Sequence, residues 1–353
     1  MKPIVDSLQK ASGAKEVHLE TPEITEHGDY ATNVAMVMAK EDGKNPRELA
    51  EEIVQKLQED NELSRVVAKI EVAGPGFINF WLSEEYLLEN LFEVNKKGSE
   101  YGKNDTERQG KVMFEYGQPN THKLPHIGHL FSYVYGESMA RLLTAAGWEV
   151  RRANYQGDVG LHVAKCLWAL QKEEVEIPDS LAGKAALLQK MYQEGSAAYE
   201  EDEAAKKEIQ GINKKIYEKD ESTKKLWEET RGWSVEYYKK FEERLGINFD
   251  RYYYESEVYE DGKKKVLENT PGVFKESEGA IIFEGSKHGL HDRVFVTGEG
   301  NPTYEAKDFY LEELKFEEWP MDLLVITTAH EQNEYFKVVF KALEEVHNEM
   351  KGK

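Results

Sequence analysis

The chain has 353 residues, 40% of them hydrophobic and 32% charged, which leaves room for two or three domains and a sizeable core and excludes a disordered chain. Its 46 Lys+Arg stand against 67 Asp+Glu, a formal charge of -21, so a general basic coat for nucleic acid is excluded while a local basic face is not. One cysteine, Cys166, excludes an internal disulfide framework and a Cys-rich zinc site and fits a reducing cytoplasm; no apolar run is long enough for a membrane span or a signal peptide.

Residues 1–90 mix helix and strand. Thr32 to Lys40 is apolar and helix-favouring. Asn45-Pro46-Arg47-Glu48 reads as a helix start, with a cap, a proline at the first position and an acid in the first turn. Leu49, Ile53, Val54 and Leu57 then recur at helical spacing. Val66 to Val72 and Phe77 to Leu82 read as strands around a Gly74-Pro75-Gly76 turn. Polar residues 91–110 suit a linker. Lys111 to Tyr116 predicts a strand that enters a Gly/Pro/Asn loop and then a helix from about Gly128 to Ala146, followed by a strand from Glu149 to Asn154. Strand, helix, strand opens a parallel α/β unit. Residues 171–245 are helix-rich with many Lys/Glu pairs, which suits a solvated insertion. Short β-like runs follow at Arg251–Tyr254, Ala280–Phe283 and Arg293–Val296, and Leu323 to Thr327 suits a buried parallel strand.

The loop between the first strand and helix of that unit carries the chemistry: Glu115-Tyr-Gly-Gln-Pro-Asn120-Thr-His-Lys123-Leu-Pro-His126-Ile-Gly128-His129. In α/β sheets ligands bind at the carboxyl ends of strands, where helix N-termini offer free N–H groups. His126 and His129 share a face at a helix start and can donate to phosphate oxygens, Gly128 lets a flat ring approach the backbone, and Lys123 adds positive charge. This suits attack on the α-phosphate of ATP, where catalysis is positioning plus stabilisation of developing charge. By itself a His-x-x-His pair also suits two surface histidines or, with His122 nearby, a metal pair. No Cys or carboxylate sits at ligand spacing, so no metal is assigned.

His126-Ile-Gly128-His129 resembles the signature of class I aminoacyl-tRNA synthetases, and further segments resemble the arginyl-tRNA synthetases in particular. These are Pro119-Asn120 with Lys123; Gly157-Asp158-Val159-Gly160, where the family carries Trp in place of Val159; Tyr304 and Asp308, four residues apart; and His27-Gly-Asp-Tyr-Ala-Thr-Asn33 with Gly74-Pro-Gly-Phe-Ile-Asn79. The resemblance implies a Rossmann-like parallel-sheet α/β catalytic domain over 111–353, with a helical insertion at about 171–245, preceded by a small α+β domain at 1–90 that contacts the tRNA elbow. It implies activation of L-arginine with ATP and Mg²⁺ and transfer to the 3′ end of its tRNA, by a cytoplasmic enzyme expected to be a monomer. Lys123, His126 and His129 would act on the phosphates; Gly128, Gly157, Asp158 and Gly160 would border the nucleotide, Asp158 accepting from a ribose hydroxyl. Glu115, Asn120, Tyr304, Asp308 and Gln332 would hold arginine, whose planar, permanent guanidinium cation needs a matching carboxylate. Phe77 and Asn79 would meet the tRNA, by stacking and edge pairing. Against the family pattern, Phe131 stands where Arg often follows the signature, and the second signature, Lys-Met-Ser-Lys, and the anticodon-binding domain are expected to be missing. A fragment that only binds arginine, ATP or tRNA is the rival reading; a cysteinyl enzyme is disfavoured by the lack of a Cys/His zinc set.

Overall fold

The computed structural model describes residues 1–103, 109–172 and 175–353, in two compact units, Met1–Gly102 and Lys103–Lys353. In the first unit α1 (Lys2–Ser12) precedes β1 (Tyr30–Thr32), α2 (Val34–Asp42), α3 (Pro46–Gln58), α4 (Leu63–Val66), β2 (Val67–Ala73), β3 (Phe77–Leu82) and α5 (Glu84–Lys97). The strands form an antiparallel sheet in the order β1-β3-β2. Asn45 caps α3 as its sequence predicts, its side chain accepting from Arg47 N at 3.0 Å, and Pro46 fills the position whose N–H would lack a partner. Strand alternation decides what faces what. Ile78 and Phe80 point into a core with Ile4, Leu8, Ile53 and Leu57, while Phe77 and Asn79 line a groove on the opposite face with Glu20, Ile24 and His27. The expected linker, 91–110, begins inside α5, which carries the first unit past residue 90; residues 104–108 of that linker lie outside the described residues.

The second unit opens with β4 (Gly110–Glu115), α6 (Ile127–Ala145) and β5 (Trp148–Gln156). Four insertion helices follow: α7 (Leu161–Lys172), α8 (Leu181–Glu201), α9 (Glu203–Tyr217) and α10 (Glu221–Leu245). The chain returns through β6 (Arg251–Tyr254) and α11 (Glu255–Glu268), forms an antiparallel sheet of β7 (Lys275–Ser277), β8 (Ala280–Phe283) and β9 (Arg293–Val296), and ends with α12 (Tyr304–Glu318), β10 (Leu323–Ile326) and α13 (Asn333–Val346). The main sheet is parallel, in the order β10-β4-β5-β6. Its central strand β4 is buried on both faces at Val112, Met113 and Phe114, which is why its sequence reads as a continuous apolar run. Register aligns the carboxyl ends: Ile326 lies beside Glu115, and Gln156 beside Tyr254. The residues following each strand therefore converge on one edge. Among the described residues no helix is long and apolar enough to cross a membrane.

Candidate active site at the carboxyl edge of the parallel sheet

The two signature histidines open α6. His126 is the N-cap and its Nδ1 accepts from Gly128 N at 3.1 Å, while His126 N donates to His129 Nδ1 at 3.2 Å. The rings lie 3.9 Å apart, tilted by 32°. Because both Nδ1 atoms accept backbone N–H, each neutral ring must carry its proton on Nε2, which makes both rings donors. Burial, with His126 and Lys123 close by, pushes His129 down to about 4, so it is neutral at physiological pH. A Cβ at Gly128 would sit 3.0 Å from the His126 ring, so the glycine makes room for the signature's own histidine. Lys123 packs its ammonium 4.3 Å above the Tyr192 ring.

The loop before α6 is fastened from one side by α10. His122 N donates to Ser234 Oγ at 2.9 Å, His122 Nε2 meets Thr230 Oγ1 at 2.8 Å, and Tyr238 OH reaches the carbonyls of Asn120 and Lys123 at 2.8 and 2.6 Å. His122 adopts a positive φ of 61° and is fully buried, which pushes it down to about 3. At the next strand end Asn120 and Gly157 pair, Thr121 N donating to Gly157 O at 2.9 Å; a Cβ at Gly157 would collide with Asn120 Oδ1. Gly160 turns the chain into α7 at φ 113°.

Asp158 does not face this opening. Its carboxylate is fully buried and accepts from Arg231 Nε at 2.6 Å, Ser256 N at 2.8 Å and Ser256 Oγ at 2.7 Å. The ribose-contact expectation therefore does not match its position; it ties the Gly157–Gly160 turn to α10 and to the start of α11. Glu115 is likewise enclosed, bonded to Lys315 and Gln118, so its carboxylate underlies the site rather than lining it.

Asp308 lies partly buried on α12, its Oδ2 accepting from Tyr335 OH at 2.6 Å. Burial, with Glu115 and Glu255 adding repulsion, pushes its carboxyl up to about 7. Glu312, one turn on, is pushed up to about 8 by burial, although Lys315 Nζ donates to both its oxygens at 2.8 and 2.9 Å. Tyr304, one turn before Asp308, is 70% exposed. Gln332 is exposed on a short turn after β10, bonded to Thr328. Sequence reasoning missed Glu255, which starts α11 directly after β6 and aims its Oε2 at Gly157; Oε1 is bonded to Lys307. The signal was available: Glu255 follows a parallel strand as Tyr116 and Gly157 follow β4 and β5.

Residues 90–351 match the family of class I tRNA synthetases (R), catalytic domain, and residues 2–82 match the arginyl tRNA synthetase N terminal domain. The chain belongs to the arginyl-tRNA synthetase family. It is 29% identical to an arginine–tRNA ligase of Treponema denticola over 94% of this chain and 57% of the relative, and 32% identical to one of Caldanaerobacter subterraneus over 88% and 55%. The chain thus spans a little over half the length of these relatives. Its fold resembles the arginyl-tRNA synthetase of Plasmodium falciparum (TM-score 0.68, 20% identity, 98% of this chain and 62% of that one) and that of Thermus thermophilus (0.65, 23%, 91% and 53%).

Proposed function

We propose that the protein is an arginine–tRNA ligase, which activates L-arginine with ATP to arginyl-adenylate and pyrophosphate and then passes the arginyl group to the 3′ end of its tRNA. The observation that carries this reading is the charge balance at the edge of the sheet. Four carboxylates, Glu115, Glu255, Asp308 and Glu312, stand with two ammonium groups, Lys307 and Lys315, and Asp308, bonded to Tyr335 and to no cation among the described residues, is pushed up to about 7 by burial and by the repulsion of Glu115 and Glu255. A guanidinium beside Tyr304 and Asp308 supplies that cation with a planar fork suited to a carboxylate.

The substrate's own carboxylate is the nucleophile. It attacks the α-phosphorus of ATP, the bond to the bridging oxygen breaks, and pyrophosphate leaves with the electron pair. The chain's part is to hold both reactants and to stabilise the charge that develops. His126 and His129 donate from Nε2 to phosphate oxygens, and Lys123 adds a point charge. Asn120 and Gln332 hold the amino-acid head group, and Gly128, Gly157 and Gly160 border the nucleotide with their backbone. Magnesium would come with ATP and would supply charge neutralisation at the phosphates, beside His126, His129 and Lys123. In the first unit Phe77 stacks a base of the tRNA elbow and Asn79 pairs its edge, across the groove they line. The enzyme works in the cytoplasm as a monomer.

A second reading is a fragment that binds arginine, ATP or tRNA without activating the amino acid. ATP–pyrophosphate exchange with L-arginine and cognate tRNA decides between them. Arginine-dependent exchange that is lost in Asp308→Ala supports the ligase. Arginine binding without exchange supports the fragment, and exchange indifferent to the amino acid refutes the arginine pocket.

A further inference from the structure

Lys307 stands in the sequence directly before Asp308, yet it turns away from that carboxylate. Its ammonium is bonded to Glu255 Oε1 and lies 3.2 Å from Tyr217 OH, with both side chains of the ion pair about nine-tenths buried. Tyr217 OH also donates to Glu255 Oε1 at 3.3 Å. Three elements meet in this knot: α12 through Lys307, the start of α11 through Glu255, and the end of the insertion helix α9 through Tyr217. Tyr217 is itself fixed, because Tyr259 OH is bonded to its carbonyl.

The knot uses one carboxylate oxygen and leaves the other. Glu255 Oε2 lies 3.6 Å from the point a Cβ of Gly157 would occupy, and Asn120 Oδ1 crowds the same point. Two acceptors, one of them charged, thus converge over a residue without a side chain. A group that donates several hydrogen bonds and carries positive charge suits that place, and the α-ammonium of an amino acid is such a group.

We infer that Lys307 is a positioning residue: together with Tyr217 it holds Glu255 Oε1 so that Oε2 faces the α-ammonium of the bound amino acid. This rests on the arginine-pocket reading above. Lys307 does not touch the substrate. It neutralises half of a carboxylate that would otherwise be buried unpaired, and it links the insertion helices to the pocket.

Equilibrium binding of two ligands tests this without requiring turnover. L-Arginine carries the α-ammonium; 5-guanidinopentanoate is the same molecule without it. Lys307→Met should weaken L-arginine about tenfold, the loss of one charge-assisted hydrogen bond, and leave 5-guanidinopentanoate within about twofold of the wild type. Lys307→Arg, which keeps the cation, should restore most of the loss. Tyr217→Phe should shift L-arginine in the same sense by a smaller factor, and it carries the test if Lys307→Met fails to fold. Equal weakening of both ligands would mean a general structural role and overturn the inference. Binding of neither ligand by the wild type would overturn the arginine pocket itself, and the inference with it.

Discussion

Three histidines of this site are held neutral by burial: His122 at about 3, His129 at about 4, and His162, on α7 with its Nε2 3.3 Å from Gly157 O, also at about 4. An unfolded histidine titrates near 6.5, so between pH 6.5 and 4 the unfolded chain binds protons the folded chain refuses. Stability from these groups is therefore fully present above 6.5 and falls as the pH drops, by up to about 1.4 kcal/mol per unit for His122 and His162 and by less for the half-buried His129, which solvent screens. His122→Gln should flatten the decline of the melting temperature between pH 6 and 4.5. An unchanged slope would show that His122 is not held neutral. His122 is also where reading the chain in order reached its limit. The sequence shows it as a neighbour of the signature, but its partners Thr230 and Ser234 are more than a hundred residues away. Asp158 is the same case: the Gly-Asp-x-Gly turn was legible, and its buried bonds to Arg231 and Ser256 were not.

Most strands were legible as short apolar or alternating runs bounded by polar and turn residues. Lys111 to Tyr116 read as a strand opening a parallel unit and Leu323 to Thr327 as a buried parallel strand, and β4 and β10 pair in parallel, though β10 is only half-buried. α10 was read as a solvated face because Lys and Glu dominate it. Its inner stripe is different in kind: Trp227 and Arg231 grip the Asp158 turn, and Thr230, Ser234 and Tyr238 grip the signature loop. Polar side chains at a spacing of four look alike whether they meet water or backbone, so only the fold separates the two. This helix sets the distance between the two loops. Arg231→Met, which strands a buried carboxylate, should cost about 3 kcal/mol or more in urea unfolding. Tyr238→Phe should cost about 1 kcal/mol and loosen ATP more than arginine. A loss below half a kilocalorie for Arg231→Met would show that Asp158 finds another partner.

The whole molecule divides where composition changes, although α5 moves the break beyond residue 90. The first unit has a core of its own, from Ile4 to Phe80, so residues 1–102 made alone should unfold in one cooperative transition; a non-cooperative melt would show that the unit depends on the rest of the chain. The net charge of -21 makes the acidic cluster at the sheet edge part of a general excess, within which burial pushes Asp308 up to about 7 and Glu312 up to about 8. That imbalance predicts both the ligand and its pH dependence. Asp308 sits among Glu115, Glu255, Lys315 and Tyr335, and must be ionised to hold a guanidinium. L-Arginine affinity should thus fall as the pH drops below about 7, approaching tenfold per unit.

The most direct measurement is calorimetric binding of L-arginine and of L-citrulline, its uncharged near-isostere, to the chain and to Asp308→Asn between pH 6 and 8. Arginine should bind the wild type, tighten as the pH rises through about 7 and lose both affinity and pH dependence in Asp308→Asn, while citrulline binds neither. Equal binding of the two ligands, or an arginine affinity that ignores Asp308, would contradict the assignment of this edge as an arginine site.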